Sequence, residues 1–252
     1  MYIFSPLEQF EIINLISIQA PIFGYINITI TNLALYSIII FIFIITLHYL
    51  GNNNSKLIPS KWSIALESIY TTISTIVKSQ IGIKYEKYFP FIYSLFLFIL
   101  TANLVGNIPY NFTVTTSVIV SIGLSVTIFL GVTILGIVKK KFSFLATFVP
   151  SGTPLALVPL LTAIEFVSYC ARALSLGIRL FANMVAGHSL LKILSTFLLK
   201  FFKGDLLISI IALVPFSLFV ALCALELAVS IIQSYVFIVL TSSYIKDALE
   251  LH

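Results

Sequence analysis

Charged residues are scarce in this sequence. Asp, Glu, Lys and Arg make up 9% of its 252 residues, whereas roughly a quarter of residues are charged in soluble globular domains. Sixty per cent of the residues are hydrophobic, and the mean hydropathy is +1.12. This shortage of charge excludes a soluble globular domain. The sequence predicts an all-α integral membrane protein, because a lipid-exposed backbone must satisfy its own hydrogen bonds.

Cysteine and histidine are also rare. Cys170 and Cys223 lie in apolar segments and lack the spacing of a metal site or a disulfide framework. The three histidines, His48, His188 and His252, are too far apart in the chain for a paired-histidine haem site. The sequence therefore predicts no cofactor and no metal.

Positive charge is missing from the start of the chain. The first Lys or Arg is Lys56, and the preceding residues carry Glu8 and Glu11 instead. A secretory signal or a mitochondrial presequence needs early positive charge, so we expect neither. The net charge of +5 comes mostly from lysines in connecting segments. That distribution indicates membrane topology and not nucleic-acid binding.

Long apolar runs predict about five membrane crossings. Residues 26–50 form the first span, and residues 88–138 contain no Asp, Glu, Lys or Arg. A Gly, Asn and Pro-rich stretch near 106–111 divides the second run, which predicts a helical hairpin of two spans. Residues 160–203 and 206–245 form two further segments. A continuous helix over 160–203 would be about 66 Å long, roughly twice the hydrocarbon thickness. It must tilt strongly, break near Gly177 or Gly187, or leave the membrane.

Residues 59–80 have a different pattern. Their apolar side chains recur on one helical face, whereas Lys61, Glu67 and Lys78 lie elsewhere. This predicts an amphipathic helix in the interface plane that does not span the bilayer. The lysines of this region and the three lysines at 139–141 should face one compartment, which the C-terminus shares.

The only two arginines, Arg172 and Arg179, lie in an apolar stretch together with Glu165 and His188. An ionisable group at bilayer depth costs from about 2.5 to over 10 kcal/mol, so these residues are functional candidates. Residues seven apart return to nearly the same helical face. Glu165, Arg172 and Arg179 therefore form one stripe, whereas His188 lies on the opposite face of the helix, about 13.5 Å beyond Arg179.

Glu226 and Gln233 repeat the seven-residue interval in the last apolar segment. Carboxylates and imidazoles exchange protons near neutrality, whereas Arg remains charged. The polar set thus separates into three candidate proton exchangers (Glu165, His188 and Glu226) and one fixed cation (Arg179). Glu165 and Arg172 can pair within the chain. Arg179 then needs either Glu226 or a carboxylate of another polypeptide. Purely structural ion pairs between two helices remain the alternative.

The segments SYCARALSLGIRLFANMVAGH (168–188), PSGTPLALVPLL (150–161) and ELAVSIIQSYVF (226–237) closely resemble subunit a of the F-type ATP synthase, in its mitochondrial, fungal-looking form. The resemblance extends from SPLEQFEI near the start to YIKDALELH at the end. The residue types at His188 and Glu226 follow the mitochondrial arrangement. The motif around Arg179 is highly specific for this family.

The resemblance implies a non-catalytic membrane stator that faces a rotating ring of subunit c. The two long C-terminal helices would form a steeply tilted hairpin against that ring. Arg179 would meet the ring's essential carboxylate, keep it ionised and stop protons leaking between two aqueous half-channels. Other implied partners are the peripheral stalk, small membrane subunits and lipid. Nucleic acid is not an expected partner. The chain has no nucleotide-binding loop, so it would not itself make ATP.

The remaining site residues are also assigned by this resemblance. His188 and Glu226 would line the half-channel from the intermembrane space, supported by Gln233 and Asn183. The matrix exit would be lined by Glu165, Asp247 and His252, with Arg172 structural or tuning Glu165. The implied location is the mitochondrial inner membrane, with the N-terminus toward the intermembrane space and the C-terminus toward the matrix.

Two other functions are compatible with the composition. A structural subunit of a respiratory complex would hold both arginines in ion pairs. An independent secondary transporter is disfavoured because the sequence has no inverted repeat and its polar groups are concentrated in one half of the chain.

Overall fold

A computed structural model describes residues 5, 7–20, 26–52, 59–109, 111–141, 144, 157–204 and 211–249. This part of the chain contains six α-helices: α1 (Asn32–Gly51), α2 (Lys61–Gln80), α3 (Phe89–Gly106), α4 (Val118–Lys140), α5 (Val158–Phe202) and α6 (Leu213–Leu249). All of them except α2 belong to segments long and apolar enough to cross a membrane. The predicted all-α membrane class is confirmed.

A small β-hairpin precedes the first helix. Strands β1 (Asn14–Ala20) and β2 (Ile26–Thr31) pair antiparallel, and a short 3₁₀ turn, Glu8–Phe10, lies before them. Helix α1 therefore begins at Asn32, later than the predicted span at 26. Alternating β-branched residues favour a strand over residues 26–31. Thr31 then caps the helix by accepting a hydrogen bond from the Ala34 N–H.

Helix α2 matches the predicted amphipathic segment, and Ser60 caps its N-terminus. Its buried residues Ile73, Ile76 and Val77 pack in the main core with side chains of α3 and α6. Trp62, by contrast, is exposed. The apolar face of α2 thus packs against the other helices along the C-terminal half of α2.

Helices α3 and α4 follow one another in the chain, joined by a connection that contains the 3₁₀ turn Val114–Thr116. Their main packing partners are different, because α3 packs chiefly on α6 and α4 chiefly on α5 and α6. Both helices occupy the stretch predicted as a hairpin, but they do not form a tightly packed pair. Helix α6 contacts α2, α3, α4 and α5, which makes it the centre of the bundle.

Helix α5 is continuous over its 45 residues, a length of about 67 Å at the usual rise per residue. A break near Gly177 or Gly187 is thus excluded. Gly177 serves helix packing instead. A Cβ at this position would lie 3.0 Å from the Ser121 carbonyl oxygen and 3.1 Å from the Ile122 Cα, both in α4. Without the glycine, α4 and α5 would have to separate.

Candidate proton-transfer site between the two longest helices

His188 of α5 and Glu226 of α6 face each other. Nδ1 of His188 lies 3.2 Å from Oε1 of Glu226, and the two side chains are 15% and 8% exposed. The two atoms are within ion-pair distance, although Oε1 does not have the geometry of a hydrogen-bond acceptor. Gly187 makes this approach possible, because a Cβ there would lie only 2.9 Å from Oε1 of Glu226. Two titratable groups are thus held together at the crossing of α5 and α6.

Helix α3 and its C-terminal cap contribute polar groups to the same region. Asn107 donates from Nδ2 to Oγ of Ser230 at 2.8 Å, and Asn103 donates to the Ser230 carbonyl at 3.3 Å. Ser230 itself donates to the Glu226 carbonyl at 2.9 Å. Sequence reasoning missed both asparagines. Their four-residue spacing at the end of an apolar helix was the available signal, since it places both on one face.

Several buried polar atoms near these residues have no hydrogen-bond partner within the described residues. They are Nε2 of His188, Oδ1 of Asn103, Oδ1 of Asn107 and Nε2 of Gln233. A buried polar atom without a partner costs about 1–3 kcal/mol, so most proteins contain few of them. Their concentration around Glu226 is typical of a polar passage and not of a packed apolar core.

Asn183 and Gln233 are joined directly. Nδ2 of Asn183 donates to Oε1 of Gln233 at 3.0 Å, which links α5 to α6 a second time. Asn183 lies four residues after Arg179 and therefore one turn along the same side of α5. The contact brings Gln233 to within about one helical turn of the arginine.

Arg179 is exposed, and its guanidinium makes no hydrogen bond or ion pair with any described residue. The same side of α5 presents small exposed residues: Ala171, Ser175, Ala182 and Ala186. Small side chains allow another helix to approach closely. Glu226, one of the two partners that the sequence left open for Arg179, faces His188 instead.

Arg172 has a partner. Nη1 donates to Oδ2 of Asp247 in α6 at 3.0 Å, and the guanidinium carbon lies 5.6 Å from the centre of the Tyr244 ring. Lys140 of α4 also donates to the Asp247 carbonyl at 3.0 Å. This arrangement ties the C-terminal ends of α4 and α6 to α5.

The proposed pairing of Glu165 with Arg172 is therefore wrong. Residues seven apart are separated by about 10.5 Å along a helix, whereas side-chain pairs on one helix form at spacings of three or four. Asp247 reaches Arg172 from the neighbouring helix. Glu165 is half-buried and makes no ion pair within the part of the chain that the structure describes. His252 lies outside the described residues.

Comparison with known proteins identifies the family. Residues 34–246 match the family described as ATP synthase A chain. ATP synthase subunit a of Mycosarcoma maydis is 59% identical over 250 residues, covering 99% of this chain and 98% of that protein. The same subunit of Emericella nidulans is 48% identical over 252 residues, covering 100% and 98%. That of Saccharomyces cerevisiae is 46% identical over 252 residues, covering 100% and 97%.

These matches span the polar residues of α5 and α6 and the helices that hold them. All three relatives are named ATP synthase subunit a, which is a component of the membrane sector and not a catalytic subunit. The chain therefore belongs to the ATP synthase A chain family.

Proposed function

We propose that this chain is the proton-conducting stator subunit of an ATP synthase in the mitochondrial inner membrane. It provides two half-channels and a fixed arginine that faces a carboxylate on a rotating ring of c subunits. Proton flow through the two half-channels drives the ring. The peripheral stalk and small membrane subunits hold the chain against that rotation.

The unpaired state of Arg179 carries this proposal. Its guanidinium is exposed on a face of small residues and makes no ion pair within the described residues. An isolated charge at bilayer depth is costly, so a partner of opposite charge is expected to face it. A ring carboxylate fits this requirement. The guanidinium keeps that carboxylate ionised by electrostatic attraction and prevents direct proton passage between the half-channels.

The His188–Glu226 pair supports a separate uptake path. Both groups exchange protons, and both lie among buried polar atoms that include Asn103 and Asn107. The path leads along α6 from Glu226 to Gln233. It then crosses to Asn183 of α5, which lies one turn from Arg179. It starts from the intermembrane space, where the N-terminus lies.

The exit toward the matrix is assigned to the opposite end of the α5–α6 pair. Glu165 and Asp247 are half-buried there, and His252 is the third proposed member. Arg172 holds Asp247 in place through the ion pair described above. The C-terminus lies on the matrix side, together with the lysines that follow α4.

A structural membrane subunit is the competing function. In that case both arginines should be locked in ion pairs, as Arg172 is with Asp247. Arg179 lacks such a partner within the described chain. The contrast between these two residues favours the stator.

Arg179→Lys in the intact, reconstituted ATP synthase tests the proposal. Lys retains the positive charge but cannot offer the planar bidentate donor of Arg. We expect the complex to assemble and to lose most proton-driven ATP synthesis, measured per assembled complex in liposomes. Arg172→Lys is the matched comparison and should retain more activity, because a lysine can still pair with Asp247. Near-normal synthesis by Arg179→Lys would overturn the arginine's proposed role.

A further inference from the structure

The N-terminal 3₁₀ turn, Glu8–Phe10, packs on α5 beside His188. The ring of Phe10 meets the imidazole edge to face, with centroids 6.5 Å apart and an interplanar angle of 64°. A second contact lies one helical turn further along α5, where Nζ of Lys192 donates to the Ser5 carbonyl at 3.5 Å. Two separate contacts therefore place Ser5 and Phe10 against the C-terminal half of α5.

The turn presents different side chains inward and outward. Backbone hydrogen bonds close it, including those from the N–H of Phe10 to the Leu7 carbonyl and from the N–H of Glu11 to the Glu8 carbonyl. Gln9 and Phe10 are partly buried, whereas Glu8 and Glu11 are exposed. An amide and an aromatic ring thus face the protein, and two carboxylates face outward.

The two ring nitrogens of His188 have different surroundings. Nδ1 faces Glu226, whereas Nε2 is buried and has no hydrogen-bond partner among the described residues. Nε2 of Gln9, next to Phe10 in the turn, is also buried without a partner there. The N-terminal turn thus contacts the imidazole of His188 and brings a second buried, unpartnered nitrogen into the same region.

We infer that the Glu8–Phe10 turn forms the outer wall of the proton-uptake path. Phe10 is a positioning residue that packs against the imidazole and keeps its Nδ1 directed at Glu226. Gln9 supplies a polar group to the passage between the outside and His188. The inference rests on the proposed function, because it extends the uptake path that begins at the His188–Glu226 pair.

The physical basis is confinement of a side chain that must exchange a proton. Proton transfer requires donor and acceptor within hydrogen-bond reach, so the orientation of the ring controls the rate. The imidazole is contacted by Phe10 of the N-terminal segment and by Glu226 of α6. Removing the phenyl ring leaves space in which the imidazole can turn away from Glu226.

The experiment uses the intact complex in liposomes, with proton-driven ATP synthesis measured per assembled complex. Phe10→Ala should lower the rate of ATP synthesis several-fold. Phe10→Tyr should retain most of the wild-type rate, because it keeps the aromatic contact. Gln9→Leu, which keeps the volume but removes the amide, should also slow synthesis. Ile13→Ala is the control, since Ile13 is an exposed apolar residue of the same N-terminal segment.

Glu226→Gln is measured in parallel to separate this inference from the proposed function. Wild-type rates for Phe10→Ala and Gln9→Leu, with a slow Glu226→Gln, would overturn the inference and leave the stator function standing. Wild-type rates for all three would remove the His188–Glu226 pair from the uptake path and overturn the inference with it, whereas the stator function is tested separately by Arg179→Lys.

The position of the turn is tested independently of activity. Ser5→Cys and Lys192→Cys are combined in a chain whose Cys170 and Cys223 are replaced by Ser, and the assembled complex is treated with a short bifunctional thiol reagent. We expect a bridge between positions 5 and 192. Failure to form it, while both thiols react singly, would mean that the turn does not cover His188.

Discussion

Nδ1 of His188 lies 3.2 Å from Oε1 of Glu226, across the crossing of α5 and α6. Gly187, the residue that precedes the histidine, leaves room for this contact, because a Cβ there would lie 2.9 Å from Oε1 of Glu226 and the carboxylate would have to shift. The side chain of Glu226 thus lies close to the position that a side chain at residue 187 would occupy. Small changes at this crossing should affect proton transfer without disturbing the rest of the bundle.

Neutralising Glu226 should slow proton uptake strongly. Glu226→Gln keeps the size of the side chain but removes the exchangeable carboxylate next to His188. Proton-driven ATP synthesis in liposomes should fall much further than with Glu67→Gln, which changes an exposed carboxylate of α2. Equal effects of the two substitutions would remove Glu226 from the path.

Gly187→Ala should impair transport while the complex still assembles. The added Cβ would lie 2.9 Å from Oε1 of Glu226, closer than ordinary contacts, so the carboxylate must move away from its present position. Gly131→Ala in α4 is the matched control, because a Cβ there meets nothing within 4 Å. Synthesis rates and complex abundance are measured together. A normal rate with Gly187→Ala would show that the close approach is not required.

The Arg172–Asp247 ion pair should contribute only modestly to stability. Its side chains are 37% and 39% exposed, and partly exposed ion pairs contribute about 1 kcal/mol or less. Arg172→Gln should therefore lower the thermal stability of the purified complex slightly. A second substitution, Asp247→Asn, should add little to that loss, because the two residues share one interaction. Fully additive effects would contradict a direct pair.

Asn107 should support the uptake path from α3. Asn107→Leu removes the amide that donates to Oγ of Ser230 at 2.8 Å and leaves that hydroxyl with an apolar neighbour. We expect slower proton-driven synthesis at normal complex abundance. Asn52→Leu, at an exposed position after α1, provides the comparison. If both variants retain normal rates, α3 is not part of the path.

The class of fold follows from local properties of the sequence. Apolar runs long enough to cross the hydrocarbon are helical in lipid, so the spanning helices could be located from hydropathy along the chain. The start of α1 was the exception, because residues 26–31 form a strand. The amphipathic face of α2 could likewise be predicted from the helical period of its apolar residues. The nine-residue spacing between Arg179 and His188 predicted opposite faces of α5, since helical geometry fixes the angle between residues on one helix.

Contacts between helices could not be predicted from the sequence in the same way. Nothing in the local pattern of α6 shows that it packs between α3, α4 and α5. The same limit explains the error over Glu165, because the carboxylate that reaches Arg172 lies 75 residues away in the chain. Asn103 and Asn107 were overlooked for this reason too, since their partner Ser230 is on a distant helix.

The sequence by itself determined that the chain is a helical membrane protein with a few costly charges on two long helices. It also determined which of them could exchange protons, because that depends on side-chain chemistry. Only the tertiary structure decided which charges meet. It joins His188 to Glu226 and Arg172 to Asp247, and it leaves Arg179 exposed. The physical reason is that pairing requires atoms within about 4 Å, and only the crossing of helices distant in sequence brings them so close.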